Sequence, residues 1–283
     1  MEASGEKWPR SPIFINKTKC DSMNILDQIL VSKRKEVAEA KKTLTQSACE
    51  QLAKEADRPR GFKRAILAAA VKPAVIAEFK RKSPSKGYLK QGADAASVTA
   101  GYEKAGASCL SVLTDGPFFG GSLEDLKMVR ATVRLPLLRK DFVVDPYQIF
   151  ESRAAGADAV LLIAEALDAA LMRDLYDTAM ALGLDVLAEL HGESEFAKIK
   201  HMPEALIGIN NRDLKTFEVS LNTTKRLAGL APKGSVIVSE SGIKSRRDFE
   251  TVRDYGADAV LVGEGLMTQT DPGDALRGLL TSC

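Results

Sequence analysis

Up to Pro73 the apolar residues recur at helical spacing; beyond it they gather into short, near-continuous runs. Ile25, Leu26, Ile29, Leu30 and Val37 mark a helix over about 22–42, with Asp21 or Ser22 placed to cap it. Two more helical stretches follow, over about 47–56 and 62–70. The runs are Val75–Lys80, Cys109–Asp115, Leu135–Phe142, Ala159–Glu165, Asp185–Leu190, Leu206–Arg212, Ser235–Ser241 and Ala259–Gly265. Their starts lie 21 to 34 residues apart, room for one strand, one helix and two short loops. Runs without polar alternation belong to parallel strands covered on both faces. Ala105-Gly106-Ala107, Ala155-Gly156-Ala157 and Tyr255-Gly256-Ala257 each precede a run, as a glycine C-cap followed by a strand would. Eight such units close into a barrel more readily than they form a doubly wound sheet. The pattern therefore predicts an α/β fold, a (β/α)8 TIM barrel with an N-terminal helical extension. Residues 1–22 are expected to be a flexible leader, and 23–283 one barrel domain that includes the helices of about 23–72.

Composition narrows the function. A chain of 283 residues with 45% apolar content can bury a large core. Its net charge of +2 offers no basic face for nucleic acid. Lys33-Arg34-Lys35 and Lys41-Lys42, interleaved with Glu36 and Glu39, read as a solvated helix face. No apolar run reaches the roughly 20 residues that cross a bilayer, so no membrane partner is expected. Cys20, Cys49, Cys109 and Cys283 form no close pair and read as reduced thiols, which suits the cytoplasm. His191 and His201 are the only histidines, too few for a histidine-rich metal site or a catalytic triad. His191, beside a loop glycine, is expected at the surface.

In such a barrel the active site lies at the strand C-termini and the loops beyond. Polar residues collect there. The first run ends in Glu78 and Lys80, two apart and on one face, followed by the loop Lys82-Ser83-Pro84-Ser85-Lys86-Gly87. That loop offers hydroxyl, ammonium and backbone N–H groups to an anion. The third run brings Lys140 and Phe142, the fifth Glu189, the sixth Asn210 and Arg212, and the seventh Glu240 and Ser241. Two lysines at one mouth are expected to depress each other's pKa. Gly242 and Gly263 fall in the last two loops, the usual phosphate cradle of this fold. Glu264 is expected to point away and offer only its N–H.

Four segments in order give a specific resemblance. They are Glu78-Phe79-Lys80-Arg81-Lys82-Ser83-Pro84-Ser85, Leu138-Arg139-Lys140-Asp141-Phe142, Gly208-Ile209-Asn210-Asn211-Arg212-Asp213-Leu214 and Ser239-Glu240-Ser241-Gly242-Ile243. With Leu110-Ser111-Val112-Leu113-Thr114-Asp115 they make the chain resemble indole-3-glycerol phosphate synthase from about Ile25 to the C-terminus. The resemblance implies a decarboxylating and dehydrating ring closure. Its substrate is 1-(2-carboxyphenylamino)-1-deoxyribulose 5-phosphate, its product indole-3-glycerol phosphate, and its pathway tryptophan biosynthesis. It implies no metal and no organic cofactor. Lys140 matches the family's general acid, and Lys80, Glu78 and Glu189 share the other proton transfers as a group. Asn210, also in the catalytic set, and Glu240 match residues that hold the substrate's hydroxyls and the ammonium partners. Ser241, Arg212 and Phe142 complete substrate binding, with Phe142 against the anthranilate ring and Arg212 ordering the polar network. Ser83, Lys82, Gly242, Gly263 and Glu264 match the phosphate site. The only partner implied is the small phosphorylated substrate, and the chain is left as a monomer or a weak homodimer.

Taken without the resemblance, the residues leave two rivals. An aldolase-type barrel would use Lys80 or Lys140 as a Schiff-base nucleophile. A non-catalytic phosphate-binding barrel would not need so many opposed charges at its mouth.

Overall fold

A computed structural model describes residues 24–213 and 216–281. The expected leader, the Asp21 and Ser22 caps, Cys20, Cys283 and Leu214 lie outside them. Three helices come first: α1 (Ile25–Thr43), α2 (Gln46–Glu55) and α3 (Phe62–Ala68). Asn24 caps α1, its side chain accepting the Asp27 N–H. Then come β1 (Ala74–Phe79), the short pair β2 (Lys82–Ser83) and β3 (Gly87–Tyr88), α4 (Ala95–Ala105) and β4 (Cys109–Leu113). The chain continues through α5 (Leu123–Thr132), β5 (Leu137–Lys140), α6 (Pro146–Ala154), β6 (Ala159–Ile163), α7 (Ala169–Ala181) and β7 (Asp185–Leu190). It ends with α8 (Phe196–Ile199), β8 (Leu206–Asn210), α9 (Asn222–Ala228), β9 (Ile237–Glu240), α10 (Arg246–Asp254), β10 (Ala259–Val262), α11 (Glu264–Met267) and α12 (Pro272–Leu280).

Eight strands, β1 and β4 to β10, close a parallel barrel in the order β1-β10-β9-β8-β7-β6-β5-β4, with β4 pairing β1. The doubly wound alternative is gone. The β2–β3 hairpin, antiparallel and outside the barrel, has no counterpart among the expected runs. Gly106, Gly156 and Gly256 take positive φ, as the echoed turns required.

Strand alternation explains why the runs look uniformly apolar. Ala74 and Ile76 of β1 face the interior with Leu138, Leu161, Leu187 and Val238. Val75, Ala77 and Phe79 face outward, against Tyr102 of α4 and Leu276 of α12. Both faces are covered, so both carry apolar side chains. The helix α3 plugs the N-terminal end of the barrel with Phe62 and Ile66, both fully buried in the interior cluster. The N–H of Lys63 donates to Asp185 at the start of β7, which fixes the plug to the strand it covers.

The basic face expected for α1 needs correction. Lys33 is 1% exposed. Its ammonium lies 2.8 Å from Asp141 Oδ1, 3.2 Å from Asp115 Oδ2 and 2.9 Å from Glu36 Oε2. Asp141 in turn accepts from Thr114, from Arg139 and from the Phe142 N–H. A charge that deep is tolerable only because two buried carboxylates meet it. Burial alone would lower the Lys33 pKa; Asp141 and Asp115 outweigh it and raise it. The helix is thereby tied to the C-terminal end of the barrel, where Ile25, Leu26 and Ile29 become part of the mouth. No helix among the described residues is long and apolar enough to cross a membrane.

Removing the Lys33 ammonium would strand Asp115 and weaken Asp141. Lys33→Ala should therefore cost about 3–5 kcal/mol of folding stability. The exposed neighbour Arg34→Ala should stay within about 0.5 kcal/mol. Urea titrations of the two variants make the comparison, and equal midpoints would refute the buried role of Lys33.

Candidate active site

The strand ends converge on one cavity lined by Glu78, Lys80, Lys140, Glu189, Asn210 and Glu240, with hydrophobic walls from α1 and Phe142. Lys140, the last residue of β5, stands at its centre. Its Nζ lies 3.2 Å from Glu189 Oε2 and 3.3 Å from Glu240 Oε2. Opposite, Lys80 Nζ lies 2.7 Å from Glu78 Oε1. Lys140, Glu189 and Glu240 come from three different strands and meet only once the barrel has closed, whereas Glu78 and Lys80 pair along one strand end.

The proposed mutual depression of the two lysines does not occur at Lys140. Burial lowers its pKa, but the charges of Glu189, Glu240 and Glu78 outweigh that and raise it. Two carboxylates compete for this ammonium, and they part company. Burial pushes Glu189 up, yet Lys140, His191 and the Asn210 side chain, in that order, bring it down to about 2. Glu240 goes the other way: burial, reinforced by the charge of Glu189, overrides Lys140 and lifts it to about 8. The two acids are thus driven in opposite directions, Glu189 towards its ionised form and Glu240 towards its protonated form.

Asn210 organises the next layer. Its Nδ2 donates to Glu189 Oε1 at 3.1 Å, while its Oδ1 accepts from Ser241 Oγ at 2.8 Å and from the Arg212 N–H at 3.0 Å. Ser241 holds that position at φ 66°, an uncommon conformation for a residue with a side chain. Two glycines leave room for the acids. A Cβ on Gly208 would sit 2.3 Å from Glu240 Oε1, and one on Gly263 2.3 Å from Glu78 Oε1. Gly263, expected for an anion's close approach, is thus also required by Glu78.

The remaining candidates divide. Ser83 is buried, lines the cavity and has a hydroxyl with no hydrogen-bond partner. Gly242, at φ +87°, and Gly263 line it too, from the loops after β9 and β10. Lys82 does not line it. Alternation along β2 sends Ser83 inward and Lys82 outward, where its ammonium donates to Pro117 O at 2.9 Å. Glu264 does not turn away as expected. Its carboxylate spans the rim, 2.7 Å from Lys86 and 3.3 Å from Arg212. Burial alone would raise its pKa, but those cations lower it. Phe142 lies on the cavity wall and stacks at 5.9 Å on Phe119, a wall residue the sequence did not single out.

His191 is the other correction. It is mostly buried, with Nε2 3.4 Å from Glu189 Oε1 and Nδ1 3.7 Å from Glu165 Oε2. Its place directly after the Glu189 strand carried that signal; the neighbouring glycine masked it. Among the described residues Glu165, His191 and Glu195 also bring three metal-type ligand atoms within 4.8 Å of one another. One Glu195 oxygen, however, is engaged by the N–H groups of His191 and Gly192.

Solved structures with the same architecture include thiamine phosphate pyrophosphorylase from Pyrococcus furiosus. It is 16% identical, with 74% of this chain and 94% of that one covered and a TM-score of 0.55. Two mutants of the tryptophan synthase α-subunit from the same organism are 11% and 13% identical. They cover 74% of this chain and 98% of theirs, with TM-scores of 0.56 and 0.57. At such identities they speak to the barrel alone. The family model described as indole-3-glycerol phosphate synthase matches residues 26–279, from the first turn of α1 to the last of α12. The chain therefore belongs to the indole-3-glycerol phosphate synthase family, the carboxy-lyases that close the indole ring in tryptophan biosynthesis.

Proposed function

We propose that this mouth performs the ring closure with Lys140 as the acid for the keto oxygen, Glu189 as the base and the Lys80–Glu78 pair assisting departure of the hydroxyl. The observation that carries the reading is the Lys140 ammonium held between Glu189 and Glu240 at 3.2 and 3.3 Å. Attack of the anthranilate ring carbon on the ketone builds negative charge on oxygen, and a fixed ammonium stabilises and then protonates it. Carbon dioxide leaves and restores the aromatic ring. Loss of the new hydroxyl needs a proton on oxygen and a base for the adjacent C–H. Glu189, kept ionised by Lys140, is suited to that base. The same clamping argues against an aldolase-type role, since a lysine held charged is a poor nucleophile.

Substrate binding divides between wall and rim. Phe142 and Phe119 flank the aromatic ring, and Asn210, Glu240 and Ser241 hold the polar chain. The phosphate meets Ser83 and the backbone of Gly242 and Gly263, with Arg212 and Lys86 at the rim; Glu264 orients those two cations. Lys82 drops out of the phosphate set. We further read residues 23–283 as one domain acting in the cytoplasm, as a monomer or weak homodimer without a nucleic-acid partner. The small net charge and the buried free thiols of Cys49 and Cys109 support that reading.

A fluorescence assay for indole-3-glycerol phosphate, with the carboxyphenylamino-deoxyribulose phosphate and a chelator present, tests the whole proposal. Chelator-resistant product supports it; folded protein that makes none overturns it. Lys140→Ala should lower kcat by about 100-fold or more while substrate still binds. Near-normal turnover would sink the general-acid role. Ser83→Ala should raise KM about tenfold through the lost phosphate contact and leave kcat within about twofold. An unchanged KM would remove Ser83 from the site.

Stability should also carry the mark of Glu240. Its folded pKa is raised from 4.5 to about 8, so the stability it contributes is complete below its ordinary range and lost as pH climbs through about 8. Glu240→Gln, which mimics the protonated acid, should gain on the parent protein steadily as pH rises from 5 to about 8. Thermal unfolding across that range checks this; a constant gap would contradict the buried proton.

A further inference from the structure

Ring closure releases a carboxylate as neutral carbon dioxide and a keto oxygen as water. Of the protons that leave in that water, one comes off substrate carbon and the other must enter from solvent. The acid that supplies it, Lys140, is largely enclosed, and so are its two carboxylate partners. Each turnover therefore needs an inward path for a proton.

His191 sits where such a path would run. It follows Glu189 by two residues at the end of β7, and its two ring nitrogens face different carboxylates. Nε2 is 3.4 Å from Glu189 Oε1, and Nδ1 is 3.7 Å from Glu165 Oε2, on the loop after β6. Both nitrogens are buried and neither has a hydrogen-bond partner. Side-chain exposure climbs along the line, from 3% at Glu189 through 12% at His191 to 28% at Glu165. The backbone around the ring is held. Glu195 accepts the His191 N–H at 2.6 Å and the Gly192 N–H at 3.1 Å. The charged groups around the imidazole are thus Glu189 on its own strand, Glu165 from the β6 loop and Glu195 from the turn before α8. Lys198 of α8, bound to Ala164 O and Leu167 O, flanks the Glu165 loop. Contacts of 3.4 and 3.7 Å are long for hydrogen bonds, and catalytic contacts commonly tighten when substrate is bound.

We propose that Glu165 and His191 form a proton conduit from solvent to Glu189, which recharges Lys140. The proposal rests on the assignment of Lys140 and Glu189 as the proton-transfer pair. A proton leaves the Glu165 carboxyl for His191 Nδ1 as the proton on Nε2 passes to Glu189. Glu189 then gives its proton, over 3.2 Å, to the neutral amine left when Lys140 has protonated the substrate oxygen. Ionised again, Glu189 takes the substrate C–H proton and returns it to Lys140 after a second proton from Lys140 has left with the hydroxyl as water. Each turnover thus draws one proton through the conduit, and a turn of the imidazole ring restores the Nε2–H tautomer. An imidazole can accept at one nitrogen while it releases at the other, and no redox partner is involved.

His191→Gln, Glu165→Gln and Glu189→Gln, compared by steady-state kinetics in dilute buffer with chelator, test the conduit. His191→Gln should lower kcat about tenfold or more and leave KM within about twofold. Added imidazole should restore turnover, and the solvent deuterium isotope effect on kcat should exceed that of the parent protein. Glu165→Gln should show a smaller loss with the same rescue. Wild-type turnover of His191→Gln in dilute buffer overturns the proposal, and so does a loss that imidazole never restores while the unfolding midpoint is unchanged. If His191→Gln unfolds early, His191→Asn takes its place under the same criteria. An inactive Glu189→Gln beside a fully active His191→Gln refutes the conduit alone. An active Glu189→Gln refutes the acid–base assignment beneath it.

Discussion

The mouth is organised by one unequal contest, in which two buried carboxylates face a single ammonium. Lys140 cannot satisfy Glu189 and Glu240 equally at 3.2 and 3.3 Å, and the asymmetry of their surroundings decides between them. Glu189 has the Asn210 amide on its other oxygen, while the Glu240 oxygens have no hydrogen-bond partner. One carboxylate is therefore favoured as the ion and the other as the acid. Environments that push two like residues apart are a recurring way to hold groups of different protonation side by side. Other features of the mouth serve that arrangement. Gly208 leaves space for Glu240, and Ser241 accepts an unusual φ to hold Asn210.

Barrel closure makes this contest possible. The acids and ammonium groups are spread over β1, β5, β7 and β9, far apart in sequence, and each is the polar residue at the end of an apolar strand. The interior below them is filled by Ile76, Leu138, Leu161 and Leu187 and stoppered by Phe62 and Ile66. That floor excludes water and keeps the charges strong. Above it, α1 forms part of the wall and is anchored by a lysine that reaches the residue next to Lys140. Asp141, bonded to Lys33, Arg139, Thr114 and the Phe142 N–H, links the helix to the strand end that carries both Lys140 and the aromatic wall.

The barrel, and which residues gather at its mouth, were legible in the sequence, because strand periodicity and strand-end chemistry are local. The helices fell within a few residues of their expected bounds, and Glu78, Lys80, Lys140, Glu189, Asn210, Arg212, Glu240, Ser83, Gly242 and Gly263 meet in one cavity. What failed depended on partners distant in the chain. Lys33 looked like one of a solvated basic cluster, since Asp115 and Asp141 lie 82 and 108 residues further on. The sequence shows Lys140 only as a second lysine at a strand end, whereas three carboxylates act on it in the barrel. Lys82 and Ser83 differ only in which way a two-residue strand points them. His191 beside a glycine resembled a surface turn, and only the barrel shows that Glu165 and Glu189 flank it. Glu264 follows a loop glycine in the sequence, where nothing local reveals the Lys86 and Arg212 cations that hold it.

The upward shift of Glu240 has a thermodynamic consequence. With Glu240 shifted towards its neutral form, Lys140 balances Glu189 and Lys80 balances Glu78 at the base of the mouth. The substrate of this family carries a carboxylate and a phosphate, so its binding adds negative charge beside those pairs. Its added negative charge makes the carboxyl groups nearby harder to ionise and the ammonium groups harder to discharge. By linkage, substrate affinity and proton affinity rise together, so occupancy of the mouth and the local proton inventory are a single coupled equilibrium.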